Sequence, residues 1–109
     1  MKYELKRNDT APAITATLTD ENGVIVLTGA TVRFKLAAAP ESGLTFTPIN
    51  RVCTVTNATK GQVSFAWQAG DTTQAGIYRG EFEVTFAGGS IETWPAGEYL
   101  SVVVLPDLG

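Results

Sequence analysis

The stretch Asp71-Thr72-Thr73-Gln74-Ala75-Gly76-Ile77-Tyr78-Arg79-Gly80-Glu81-Phe82-Glu83-Val84-Thr85-Phe86 decides the fold. In it Tyr78, Gly80, Phe82, Val84 and Phe86 alternate with Arg79, Glu81, Glu83 and Thr85. Successive side chains of an extended chain point to opposite faces, so this period of two predicts a long strand with one face in a core and a charged face in water. The same device recurs on the N-terminal side. Val63, Phe65 and Trp67 alternate with polar or small residues, Val32, Phe34 and Leu36 with Thr31, Arg33 and Lys35, and Ile14, Ala16 and Leu18 with Thr15, Thr17 and Thr19. Turn residues separate the runs, among them Asp20-Glu21-Asn22-Gly23 and Ala58-Thr59-Lys60-Gly61. No stretch carries a helical period, and several short strands at near-regular spacing predict an all-β sandwich or barrel.

The head of the deciding stretch selects the sandwich. An acidic turn, then a small residue and a Tyr two positions later at the opening of the longest strand, is the sequence form of a tyrosine corner. In immunoglobulin-like domains the phenol oxygen of that corner bonds back to upstream backbone. The expected architecture is therefore an immunoglobulin-like β-sandwich, one domain over residues 1–109, with Val32, Phe34, Phe65, Trp67, Phe82 and Val84 in its core and the Tyr78 hydroxyl bonded near Asp71. The second cysteine of antibody domains would fall at Gly80, so packing must hold the sheets together in place of an inter-sheet disulfide.

Composition narrows the chemistry. Of 109 residues 44% are hydrophobic and 17% charged, far from the signature of disorder. Eight basic and eleven acidic side chains give a net charge of −3, which lacks the basic footprint of a nucleic-acid binder. With no histidine and one cysteine, Cys53, the chain has no internal disulfide, no Cys/His zinc site and no histidine-based catalytic dyad or triad. The segment Met1 to Asp9 has no apolar core of a signal peptide, and no apolar run is long enough to span a bilayer. The expectation is assembly in a cytoplasm without membrane insertion.

Individual motifs read plainly. Glu81 and Glu83 are the solvated face of a strand rather than an acid/base pair, and Asp20 to Gly23 are a β-turn lacking the spacing of a calcium loop. Cys53, alternating with Val55 in a weaker strand, is a small core residue without a base to activate it. Gly88-Gly89 read as a two-residue hairpin turn, which would place Phe86 opposite Ile91 and Glu83 opposite Trp94. Opposed residues share a face, so Trp94 is expected on the outer face as a contact residue. Leu44 and Phe46, apolar residues inside the Pro-bounded loop Ala37 to Pro48, are expected beside it as protein-interface residues. From Tyr99 to Leu105 both faces are apolar: Leu100, Val102 and Val104 on one, Tyr99, Val103 and Leu105 on the other. The outer face is thus expected to be covered by the N-terminal segment or by a neighbouring subunit.

Six blocks, in order along nearly the whole chain, carry a likeness. They are Leu5-Lys6-Arg7-Asn8-Asp9-Thr10-Ala11-Pro12, Leu27-Thr28-Gly29-Ala30-Thr31-Val32, Trp67-Gln68-Ala69-Gly70-Asp71-Thr72 running on to Gly76-Ile77-Tyr78, Glu81-Phe82-Glu83-Val84-Thr85-Phe86, Glu92-Thr93-Trp94-Pro95 and Leu105-Pro106-Asp107-Leu108. Together they resemble the immunoglobulin-like domain of the phage baseplate upper protein family. The resemblance implies a non-enzymatic structural or docking component of a tailed-phage virion (tail, baseplate or neck), assembled in the host cytoplasm against other virion proteins and copies of itself, with no cofactor. The alternatives are a head-surface decoration protein and a carbohydrate-binding adhesion module for the host surface. The latter would require exposed aromatics beside Asp, Asn or Arg in one groove.

Overall fold

The computed structural model describes residues 1–108, and its organising element is the strand read from the deciding stretch. Eleven strands run in chain order: β1 (Lys2–Lys6), β2 (Ile14–Thr17), β3 (Thr19–Asp20), β4 (Gly23–Val24), β5 (Thr31–Ala38), β6 (Ile49–Val52), β7 (Thr54–Asn57), β8 (Gln62–Phe65), β9 (Gly76–Thr85), β10 (Ile91–Trp94) and β11 (Leu100–Leu105). A single 3₁₀ turn lies at Pro40–Ser42. Strand β9 pairs antiparallel with β5 along its length, from Thr31 opposite Thr85 to Ala38 opposite Tyr78. Its other edge is shared, with β10 beside Phe82 to Thr85 and β11 beside Gly76 to Gly80. The N-terminal β1 lies parallel to β11, and β6 closes the far edge on β5.

This larger sheet, in the order β1-β11-β9-β5-β6, packs on a smaller one ordered β2-β8-β7, and β3 and β4 form a short separate hairpin. The protein is an all-β sandwich, as the alternation and the tyrosine-corner sequence together predict. Val32, Phe34, Phe65, Trp67, Phe82 and Val84 are all buried. The two sheets meet through aromatic rings: Phe34 of β5 and Phe65 of β8 are 4.5 Å apart across the core, while Phe82 backs Phe34 at 5.0 Å within the larger sheet and Trp67, just past β8, stands edge-on to Phe65 at 5.2 Å. Gly80 makes room for them, because a Cβ there would lie 2.8 Å from Cζ of Phe34. Where antibody domains carry a disulfide half, this chain carries a hollow that one phenylalanine ring fills.

The tyrosine corner is present with a shifted acceptor. Tyr78 is buried and its hydroxyl donates to the Gln74 carbonyl at 2.6 Å, three residues nearer than Asp71. The Asp71 carboxylate is occupied elsewhere, accepting from the Gln68 amide at 2.7 Å and from the Arg51 guanidinium. It caps its own turn and ties it to β6. Cys53 sits half-buried between β6 and β7, its thiol donating to the Val32 carbonyl at 3.3 Å, and burial pushes that thiol up to about 11.

Two expectations fail on local geometry. The hairpin between β9 and β10 has a three-residue loop, Ala87-Gly88-Gly89. Phe86 and Ser90 close it (Phe86 amide to Ser90 carbonyl 2.9 Å), and Gly89 has φ of 94°. That is the turn with a left-handed third residue and a bulge, not the two-residue turn. The register moves by one, so Trp94 faces Phe82 instead of Glu83 and goes into the core, 7% exposed. Ile91 changes places with it and becomes 61% exposed.

Leu44 and Phe46 are not exposed anchors either. Spaced two apart in an extended segment, they turn to the same side and half-bury against the core. Phe46 stands edge-on to Tyr78 at 4.8 Å, Leu44 occupies the space above Gly76, and the Gln74 side chain donates to the Thr45 carbonyl at 2.9 Å. The loop packs on the end of the sandwich, which takes these apolar groups partly out of water.

Candidate functional site

With Trp94, Leu44 and Phe46 turned inward, the surface able to make contacts is found by comparing the outer faces of the two sheets. The smaller sheet is uniformly polar outside, where Thr15 and Thr54 both flank Ser64 and Thr17 lies opposite Gln62. The larger sheet differs. Ile77 of β9 lies directly opposite Val103 of β11, with Leu105 two residues on in the same row. Strand β1 borders them with Glu4 opposite Val103 and Lys6 opposite Leu105. The N-terminal segment therefore extends the sheet edge and does not cover this face, contrary to the first of the two covers expected for it. Ile77 and Tyr99 remain about half exposed, at 47% and 55%.

Beside this apolar row the face becomes concave. A groove of about 430 Å³ crosses from Pro48 and Asn50 of the β6 edge, over Lys35 and Ala37 of β5, to Arg79, Glu81 and Tyr99. Alternation aims these side chains outward, opposite the buried Leu36, Tyr78 and Gly80. Each cation is already paired. Lys35 reaches Glu83 at 2.6 Å, and Arg79 reaches Glu41 of the 3₁₀ turn at 3.3 Å while its guanidinium lies over the Tyr99 ring, 5.4 Å from the centroid. Arg33 donates to the Asn50 side-chain oxygen at 2.8 Å, which leaves the Asn50 amide N–H groups as donors. Glu81 is half-buried and has no hydrogen-bond or ion-pair partner among the described residues.

Glu81 and Glu83 share the outer face as expected, and the pairing of Glu83 with Lys35 makes them unlike partners. Among the described residues no group of three or more His, Cys, Asp or Glu side chains is placed to hold a metal ion, and no helix is long and apolar enough to cross a membrane. One electrostatic feature lies off this face. The register shift brings Glu92 against the Asp20-Glu21 turn; its carboxyl rises above the ordinary range through burial, then through a hydrogen bond with Asp20 and the charges of Asp20 and Glu21.

The sequence had the material for this site without its assembly. The doubly apolar segment from Tyr99 to Leu105 pointed at this outer face, whereas Tyr99 beside Arg79 required the pairing of Leu100 with Gly80. No family model matches the chain, and no curated protein is similar enough to it to count as a relative.

Proposed function

We propose that this domain is a non-enzymatic docking module of a tailed-phage virion, a tail, baseplate or neck component that packs against other virion proteins and copies of itself through the outer face of its larger sheet. The observation that carries the docking role is the contrast between faces. One presents hydroxyls and amides; the other presents Ile77, Val103 and Leu105 in an unbroken row bordered by charges. Apolar side chains gathered on one sheet face and rimmed by charge are the anatomy of a protein interface. The virion assignment rests on the six sequence blocks that resemble the baseplate upper protein family.

The test is incorporation. Ile77→Lys should leave the isolated domain folded, because the residue is half in water, and should deplete the chain from purified particles by an order of magnitude or more, the effect of losing about 2 kcal/mol at a contact anchor. Wild-type incorporation of a folded Ile77→Lys chain would remove this face from the interface. Absence of the wild-type chain from purified tailed particles would remove the virion role.

A further inference from the structure

We propose that the groove across β6, β5 and β9 binds a neutral oligosaccharide, a site separate from the apolar row and independent of the docking reading. Four features of the groove converge on that ligand class. Its lining includes flat apolar groups, Tyr99 beside β9 and Pro48 at the β6 edge, suited to the C–H faces of sugar rings. Its polar groups are of both kinds, with the Glu81 carboxylate as acceptor and the Asn50 amide as donor, which matches hydroxyls that both donate and accept.

Its charge balance disfavours strongly charged ligands. Lys35 and Arg79 are neutralised by Glu83 and Glu41, so an anionic ligand would meet no free cation and would face the unpaired Glu81. A cationic peptide would find one carboxylate, with Lys35 directly opposite it and Arg79 two residues before it. Its dimensions agree. Three inter-strand spacings, from β6 to the position of Tyr99, span roughly 14 Å, the length of about three pyranose rings. The floor is Ala37, exposed and small, so ring and sheet can approach closely.

The experiment uses the whole chain. A printed array of neutral, sialylated and sulfated oligosaccharides, with an oligolysine peptide as a further probe, is followed by NMR titration with the strongest neutral trisaccharide. Saturable binding of a neutral glycan is expected, with shifts concentrated at the amides of Ala37, Glu81 and Tyr99. Tyr99→Ala, at an exposed position, and Glu81→Ala, at a half-buried one on the outer face, should each weaken binding about tenfold or more. Ala37→Gln, which fills the floor without touching either, should weaken it as well. The proposal is overturned by an array on which no neutral glycan binds, by binding of acidic glycans or oligolysine alone, or by neutral-glycan binding that survives both Tyr99→Ala and Ala37→Gln unchanged.

Discussion

Replacing Gly80 by Ala tests the packing that stands where the disulfide is missing. The backbone of Gly80 is ordinary strand, so an alanine meets no conformational penalty and gains about 0.5–1 kcal/mol from reduced chain entropy. Against that, the new Cβ would lie 2.8 Å from Cζ and 3.1 Å from Cε1 of Phe34. That ring is fully buried, gripped by Phe65 and Phe82 at 4.5 and 5.0 Å, so it has little room to retreat. Overpacking of this kind costs about 1–3 kcal/mol. The net expectation is a destabilisation of about 1–2 kcal/mol, a fall in Tm of roughly 4–12 °C for a domain of this size. Urea melts of four proteins close a cycle: wild type, Gly80→Ala, Phe34→Leu and the double variant. Leucine removes the colliding ring atoms, so Gly80→Ala should cost less, or even stabilise, in the Phe34→Leu background, with a coupling of about 1 kcal/mol or more. A neutral Gly80→Ala, or a cost undiminished once Phe34→Leu has removed the ring, would refute the claim that Gly80 is there for the Phe34 ring.

Three further outcomes follow from the core, the corner and the turn. Trp94→Ala should destabilise the isolated domain by about 3–5 kcal/mol in a denaturant melt, since the ring is buried beside Phe82; a fully stable variant would return Trp94 to the surface. Tyr78→Phe should lose roughly 1 kcal/mol, the worth of one hydrogen bond to an acceptor whose residue is exposed and can be rehydrated, and an unchanged melt would count against the corner. Glu92 holds its proton more tightly when folded than its ordinary value of 4.5 implies, so the stability linked to it is present below that pH and lost as the pH rises through the folded pKa. Glu92→Gln should therefore raise stability at pH 7 by a few tenths of a kcal/mol, as suits a solvent-screened site, and leave it unchanged below pH 4; a gain equal at both pH values would disconnect Glu92 from Asp20 and Glu21.

The fold was legible because it is written in side-chain parity. Phe34, Phe65, Phe82 and Val84 are inward for the same reason that Lys35, Ser64, Glu81 and Glu83 are outward, and no tertiary information is needed to read that. Parity holds only within an unbroken strand. Ile25 and Leu27 are buried residues of the short, irregular segment that follows β4, where no run is long enough to show an alternation. The Tyr78 corner was readable as a motif, but its acceptor depended on Asp71 being engaged by Gln68 and Arg51, a contact between β6 and a distant turn.

The site was less legible because it hangs on a single turn. Two glycines in a row admit either a two-residue loop or a three-residue loop with the left-handed residue at Gly89, and the two differ by one step of register. That step exchanges Trp94 with Ile91, so the residue most attractive as an anchor becomes core and a less conspicuous one becomes surface. What survives the exchange is the segment beyond Pro95, because its inward set of Leu100, Val102 and Val104 is fixed by pairing with β9 rather than by the hairpin. Its outward set therefore had to be surface whatever the turn did. Tyr99 reaches the groove because the chain between β10 and β11 leaves the β9 edge and rejoins it at Leu100, opposite Gly80. The glycine that admits the Phe34 ring on the inner face thus lies between Arg79 and Glu81 on the outer one, so core packing and groove share one short length of β9.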